Sequence, residues 1–221
     1  MEDITHPALV KALVKNPLDI LNSFSLSTID LWHGATGVAG EAGELLEGIM
    51  LYATMNSSIS EALENLIEES GDLYFYTEQL TQRTGLELDW EIIDTFARSQ
   101  LISPDQALVY ASWVAIHGSQ VLDTVKKAAI YNKELDLHLL CIQLTDMHKF
   151  LATLGYMFGF SREQALEHNI AKLSKRYEGV NYSDAAAQLR ADKVIERKFI
   201  KGESEPVVIR GGANPLATPE E

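Results

Sequence analysis

The chain has 221 residues with 18 Lys+Arg against 32 Asp+Glu, a formal net charge of −14, and 46% hydrophobic residues. That is an ordinary globular composition long enough to bury a core. The acidity argues against a protein that grips nucleic-acid polymers or anionic membrane over a wide surface. A lone cysteine, Cys141, excludes an internal disulfide and a cysteine-built zinc site. No apolar run reaches the length of a membrane span, and the Met1-Glu2-Asp3 start lacks a secretory pattern. The expected setting is a soluble, reducing, intracellular one.

The pattern predicts helices nearly throughout. Thr5–Lys15 forms a short amphipathic segment closed by Pro17, and a long helix runs from about Ser27 to Met55. Asn56-Ser57-Ser58 breaks it, and Ser58 with Glu61 makes a capping box opening a helix that ends at Gly85. A short helix follows over Asp89–Ser99. Ser103-Pro104-Asp105 starts another, expected to reach Tyr131, and the next runs from Asp136 to Leu154, ending near Gly155. Ser161 with Gln164 opens a helix to Tyr177, and a last one spans Ser183 to Phe199. Residues 201–221, with three Gly and three Pro, read as a flexible tail. No period-two alternation points to strands, so the fold class is all-α.

Charge is unevenly placed. Residues 16–82 hold no Lys or Arg and eleven acids, whereas residues 126–201 hold thirteen basic residues and nine acids. Like charges on neighbouring turns are mildly destabilising, so the acidic half calls for a counter-charge. Glu41 and Glu44 are three apart, as are Glu69 and Asp72, a spacing that puts each pair on one helix face. The pairs lie on consecutive helices joined by a short break, which favours antiparallel packing and brings four carboxylates together. Clustered anions of this kind fit a hard divalent cation, Mg²⁺ or Mn²⁺, better than zinc. A di-iron bundle would need Glu-x-x-His pairs, and no His lies three residues after a Glu. Glycines 34, 37, 40 and 43 give the first acidic helix a bare face that lets a backbone or ligand come close. They do not make a phosphate-cradling loop, for no Gly-x-Gly-x-x-Gly or Gly-Lys-Ser/Thr pattern is present.

The stretches His33-Gly-Ala-Thr-Gly-Val-Ala-Gly-Glu-Ala-Gly-Glu-Leu-Leu-Glu47 and Glu64-Asn-Leu-Ile-Glu-Glu-Ser-Gly-Asp-Leu73 resemble the MazG-like all-α nucleoside triphosphate pyrophosphohydrolases. Asn169-Ile-Ala-Lys-Leu-Ser-Lys-Arg-Tyr177 and Tyr182-Ser-Asp-Ala-Ala-Ala-Gln-Leu-Arg-Ala-Asp192 resemble the C-terminal segment of phage-type members. The resemblance covers residues 5–195. It implies a helical bundle in which Glu41, Glu44, Glu69 and Asp72 bind Mg²⁺ and hydrolyse a (d)NTP, dGTP or another dNTP, to (d)NMP and pyrophosphate. One departure stands out. Relatives carry Lys-Lys soon after the first Glu-x-x-Glu, where this chain has Ile49-Met50; the pair appears instead at Lys126-Lys127.

A slide of 76 residues puts Glu41 on His117 and Glu44 on Gln120, and a slide of 74 puts Glu69 on Gln143 and Asp72 on Asp146. The second half, residues 104–180, thus reads as a degenerate copy of a catalytic first repeat over 20–85. One chain then mimics a dimer of single-repeat relatives, and such pseudo-dimeric chains can assemble further into a homo-oligomer. Lys126, Lys127, Lys172 and Arg176 are candidates for the triphosphate, because point charges and guanidinium forks suit phosphate oxygens. Asn169 binds substrate or caps its helix. His33 touches substrate or is a satisfied interior histidine. Tyr74, Tyr76, Trp32 and Trp113 are base-stacking platforms or core. Glu41 or Glu68 orients the attacking water, the two being left open. The competing readings are a nucleotide-binding or regulatory helical protein without turnover, and a plain helical scaffold.

Overall fold

The computed structural model describes residues 5–100, 102–177, 179 and 181–189. All regular structure among them is helical: α1 His6–Leu13, α2 Pro17–Ser23, α3 Leu26–Ala53, α4 Ile59–Thr84, α5 Trp90–Ser99, a 3₁₀ turn Pro104–Gln106, α6 Ala107–Tyr131, α7 Leu137–Phe158, α8 Arg162–Arg176 and α9 Asp184–Leu189. Among the described residues no helix is long and apolar enough to cross a membrane. The chain divides into two compact units, Met1–Ala171 and Lys172–Glu221.

The caps account for most boundaries. Ser58 accepts from the Glu61 amide while the Glu61 carboxylate accepts from the Ser58 amide at 2.7 Å, a closed capping box. Ser161 and Gln164 do the same for α8, with amide bonds of 2.8 and 3.3 Å. Two boundaries differ from the sequence expectation. Pro17 does not only close α1; it opens α2, with Asn16 accepting from the Leu18 amide at 2.8 Å. Proline lacks a donor where a first helical turn needs none. Gly155 does not end α7, which runs on to Phe158 and stops at Gly159 in the left-handed conformation (φ 78°). Gly155 is bare instead because the Phe160 carbonyl lies 2.9 Å from where its Cβ would be.

In the first unit, α3 packs along α4 and α6, α6 along α7, and α5 on α7. The buried stripe of α3 is Leu31, Ala35, Val38, Ala42, Leu45 and Ile49, a helical repeat of three and four. Ala111, Val114, Gly118, Val121 and Val125 form the facing stripe of α6. Small residues let these two helices approach: a Cβ on Gly118 would lie 3.0 Å from the Ala42 Cβ and 3.3 Å from the Val38 carbonyl. They run antiparallel, because the Ser23 hydroxyl just before α3 donates to the Ala129 carbonyl near the end of α6 at 2.9 Å. Each fully buried leucine or isoleucine contributes about 1.5–3 kcal/mol. α8 lies across α4 at Gly71, where a Cβ would meet the Ala165 carbonyl at 2.8 Å.

In the second unit, the Tyr177 and Tyr182 rings lie 5.5 Å apart, and the Tyr182 hydroxyl donates to Asp184 at 2.8 Å. The expected helix to Phe199 is described only as far as Leu189, and the tail 201–221 lies outside the described residues.

Candidate metal centre

The α3–α4 hairpin brings acids of both motifs together. Carboxylate oxygens of Glu41, Glu69 and Asp72 lie within 4.8 Å of one another. Glu44 is exposed and outside this trio, although its charge reaches Glu69.

Glu69 is the buried member, 4% exposed. Burial, a hydrogen bond with Glu41 and the charges of Glu41, Glu44 and Glu68 push its carboxyl up to about 9. The charges of Glu41, Glu44 and Glu68 all oppose its ionisation. The group therefore holds a proton at neutral pH unless a cation takes the proton's place. Asn65, one turn earlier on α4, donates to Glu69 Oε1 at 3.2 Å. Across from it Gly48 has no side chain, because Asn65 fills the space its Cβ would take. Asn169, 5% exposed on α8, donates to Asp72 Oδ1 at 2.6 Å. Asn65 escaped the sequence reading, though its position four residues before Glu69 on a predicted helix was the available signal.

Other candidates fall elsewhere. His33 is exposed, two turns before Glu41, with its ring edge-on to Tyr76 at 5.7 Å and its Nδ1 3.3 Å from Gln79. Tyr76 fills the space beside Gly37, and Leu80 that beside Gly34, whereas Gly40 and Gly43 face open space. The bare glycine face thus serves helix packing at one end and stays clear next to Glu41 and Glu44. Lys127 is paired with Asp123 at 2.7 Å and, with His117 and Gln143, lines a cavity between α6 and α7. Lys126, on the same turn, is half-buried and helps hold the Asp123 carboxyl below its usual range. Lys172 and Arg176 belong to the second unit.

The aromatic candidates are largely engaged. Trp32 meets Phe24 edge-on at 6.1 Å, and Trp113, 42% exposed, stacks on Phe150 and His117. Tyr74 is buried and stacks on His148 at 5.0 Å with rings 6° from parallel. His148 is fully buried, hydrogen bonds to the Thr77 hydroxyl at 2.9 Å, and is pushed down to about 3 by burial and by the Arg162 charge. Arg162 lies 3.8 Å over the Trp90 ring. Trp90, Arg162, Gln79 and Asn169 border a cleft of about 1250 Å³ along α4, so Asn169 adjoins both this cleft and the carboxylates. No family model, curated protein or solved structure matches the chain.

Proposed function

We propose that the chain is a Mg²⁺-dependent nucleoside triphosphate pyrophosphohydrolase of the MazG-like kind, converting a (d)NTP, dGTP or another dNTP, to the monophosphate and pyrophosphate. The observation that carries it is the convergence of Glu41, Glu69 and Asp72, drawn from both acidic motifs, with Glu69 buried beside the charges of Glu41, Glu44 and Glu68. An all-oxygen donor set of this kind fits Mg²⁺ or Mn²⁺. Bound there, the cation would polarise phosphate oxygens and lower the pKa of a water.

The chain's own residues supply the rest. Asp72 is held in orientation by the Asn169 amide, and Glu69 by the Asn65 amide, as outer partners orient metal-binding carboxylates. Glu41 or Glu68 accepts the water's proton. Gly40 and Gly43 leave the α3 face beside Glu41 open to the phosphates. The cleft bordered by Trp90, Arg162 and Asn169 gives the nucleoside a place next to Asp72.

The internal duplication is part of the same reading. A residue on a two-fold axis meets its own copy. Gly118 meets Ala42, its counterpart at a slide of 76, and His148 stacks on Tyr74, its counterpart at a slide of 74. In the same sense α5 packs on α7, while α8 packs on α4 and delivers Asn169 to Asp72.

Incubation with Mg²⁺ and each common (d)NTP should release pyrophosphate from at least one. Release from none, together with a Mg²⁺-dependent rise in melting temperature, would return the non-catalytic binding reading; no rise either would leave a scaffold.

A further inference from the structure

We infer that α1 is an arm for a second copy of this chain, docking its apolar face in the groove between α3 and α6 of the partner. The inference is independent of the activity proposed above. In its own chain α1 buries none of its 8 residues, and Leu9, Val10, Leu13 and the following Val14 are all exposed, Leu13 to 73%. A helix this short does not hold itself in water, so the segment needs an apolar surface to lie on. Leu18 and Leu21 on α2 and Leu26 at the start of α3 extend the same exposed run. Single exposed leucines are ordinary, whereas a run of this length marks a contact surface.

The same chain carries a matching surface. Leu46 on α3 and Ser112, Ala115, Ile116 and Ser119 on α6 line a mostly apolar groove of about 480 Å³, with Gln120 and Asp123 toward the α6 C-terminus. Val109, one turn before Ser112, and Met50, one turn after Leu46, are exposed and lengthen it. The charges of arm and groove are complementary. Residues 5–18 hold Lys11 and Lys15 and no acid, whereas α3 carries no Lys or Arg and sets the exposed Glu47 beside Leu46. Lys15 fixes where the arm begins: its ammonium donates to the Ile130 carbonyl and lies 5.9 Å over the Tyr131 ring, at the C-terminal end of α6. From Ile130 back to Ile116 is about 21 Å along that helix. An antiparallel two-fold pairing of the α6 helices sets the root of each arm near the partner's groove, and the contact is made twice.

The test is sedimentation velocity of the full-length chain. Wild type should sediment as a dimer, and Leu9→Asp/Leu13→Asp as a monomer whose core is still folded by calorimetry. Ile116→Glu, in the groove, should give the same monomer from the other side of the contact. Lys11→Glu and Glu47→Lys should each weaken the dimer about tenfold, the pair being made twice, and combining them should restore it with the signs exchanged. A wild type that stays monomeric overturns the inference, whether or not it then binds vesicles of phosphatidylglycerol. So does a dimer that withstands either Leu9→Asp/Leu13→Asp or Ile116→Glu, and so does a charge exchange that leaves the dimer as weak as the single variants.

Discussion

Replacing Glu69 with Gln isolates the proton that the carboxylate cluster forces onto the fold. Glu69 is 4% exposed and pushed up to about 9, against an ordinary value of 4.5. Between those values the metal-free folded chain keeps a proton that the unfolded chain has released. The folded pKa is the higher one, so this contribution to stability is complete below about pH 4.5 and is lost as pH rises toward 9. One proton is worth about 1.4 kcal/mol per pH unit, so the wild type should lose up to about 2.7 kcal/mol from pH 6 to 8. Glutamine carries no such proton and can still donate to Glu41. Urea unfolding in EDTA at three pH values across this range, for wild type and Glu69→Gln, measures the difference with other titrations cancelled. Mg²⁺ should reverse the wild-type trend, stabilising it more at the higher pH because the ion displaces the proton, and should leave the variant unmoved. Parallel pH profiles for the two proteins would refute the account of Glu69.

Three further outcomes follow from the geometry. Gly40→Ala, in open space on α3, should stabilise the fold by about 0.5–1 kcal/mol through helix propensity, whereas Gly71→Ala should cost about 1–3 kcal/mol against the Ala165 carbonyl; calorimetric melting temperatures compare them. Asn169→Ala should lower Mn²⁺ affinity by about 10–100-fold by freeing Asp72, read by titration against the electron paramagnetic resonance of free Mn²⁺, with the melting temperature as control. His148, held down to about 3, should make the fold lose stability as pH falls below about 6.5, and His148→Gln should flatten that acid limb in urea titrations.

Much of the fold is legible in the chain because its signals are local. The Ser58/Glu61 and Ser161/Gln164 boxes mark helix starts with residues that touch each other. Gly155 misleads for the opposite reason: its bareness answers Phe160 beyond the helix end, not a turn. The three-residue spacing of the acids brings Glu41, Glu69 and Asp72 together, yet does not say which of the four, here Glu44, stands exposed outside the group. Lys127 shows the same limit. Its residue type suits a phosphate, but Asp123, one turn earlier, already engages it. Trp90 acquires meaning only once Arg162 lies against it, a contact that needs the assembled helices.

The position of Asn169 also sets an order of events during synthesis. The α3–α4 hairpin closes through local contacts, so the carboxylate trio can assemble while much of the chain is still unmade. Its α8 amide comes from 97 residues further along, after α6 and α7 have been built. A nascent chain therefore presents the anions before the amide that orients Asp72, and it completes the centre only when nearly all of the first unit has left the ribosome.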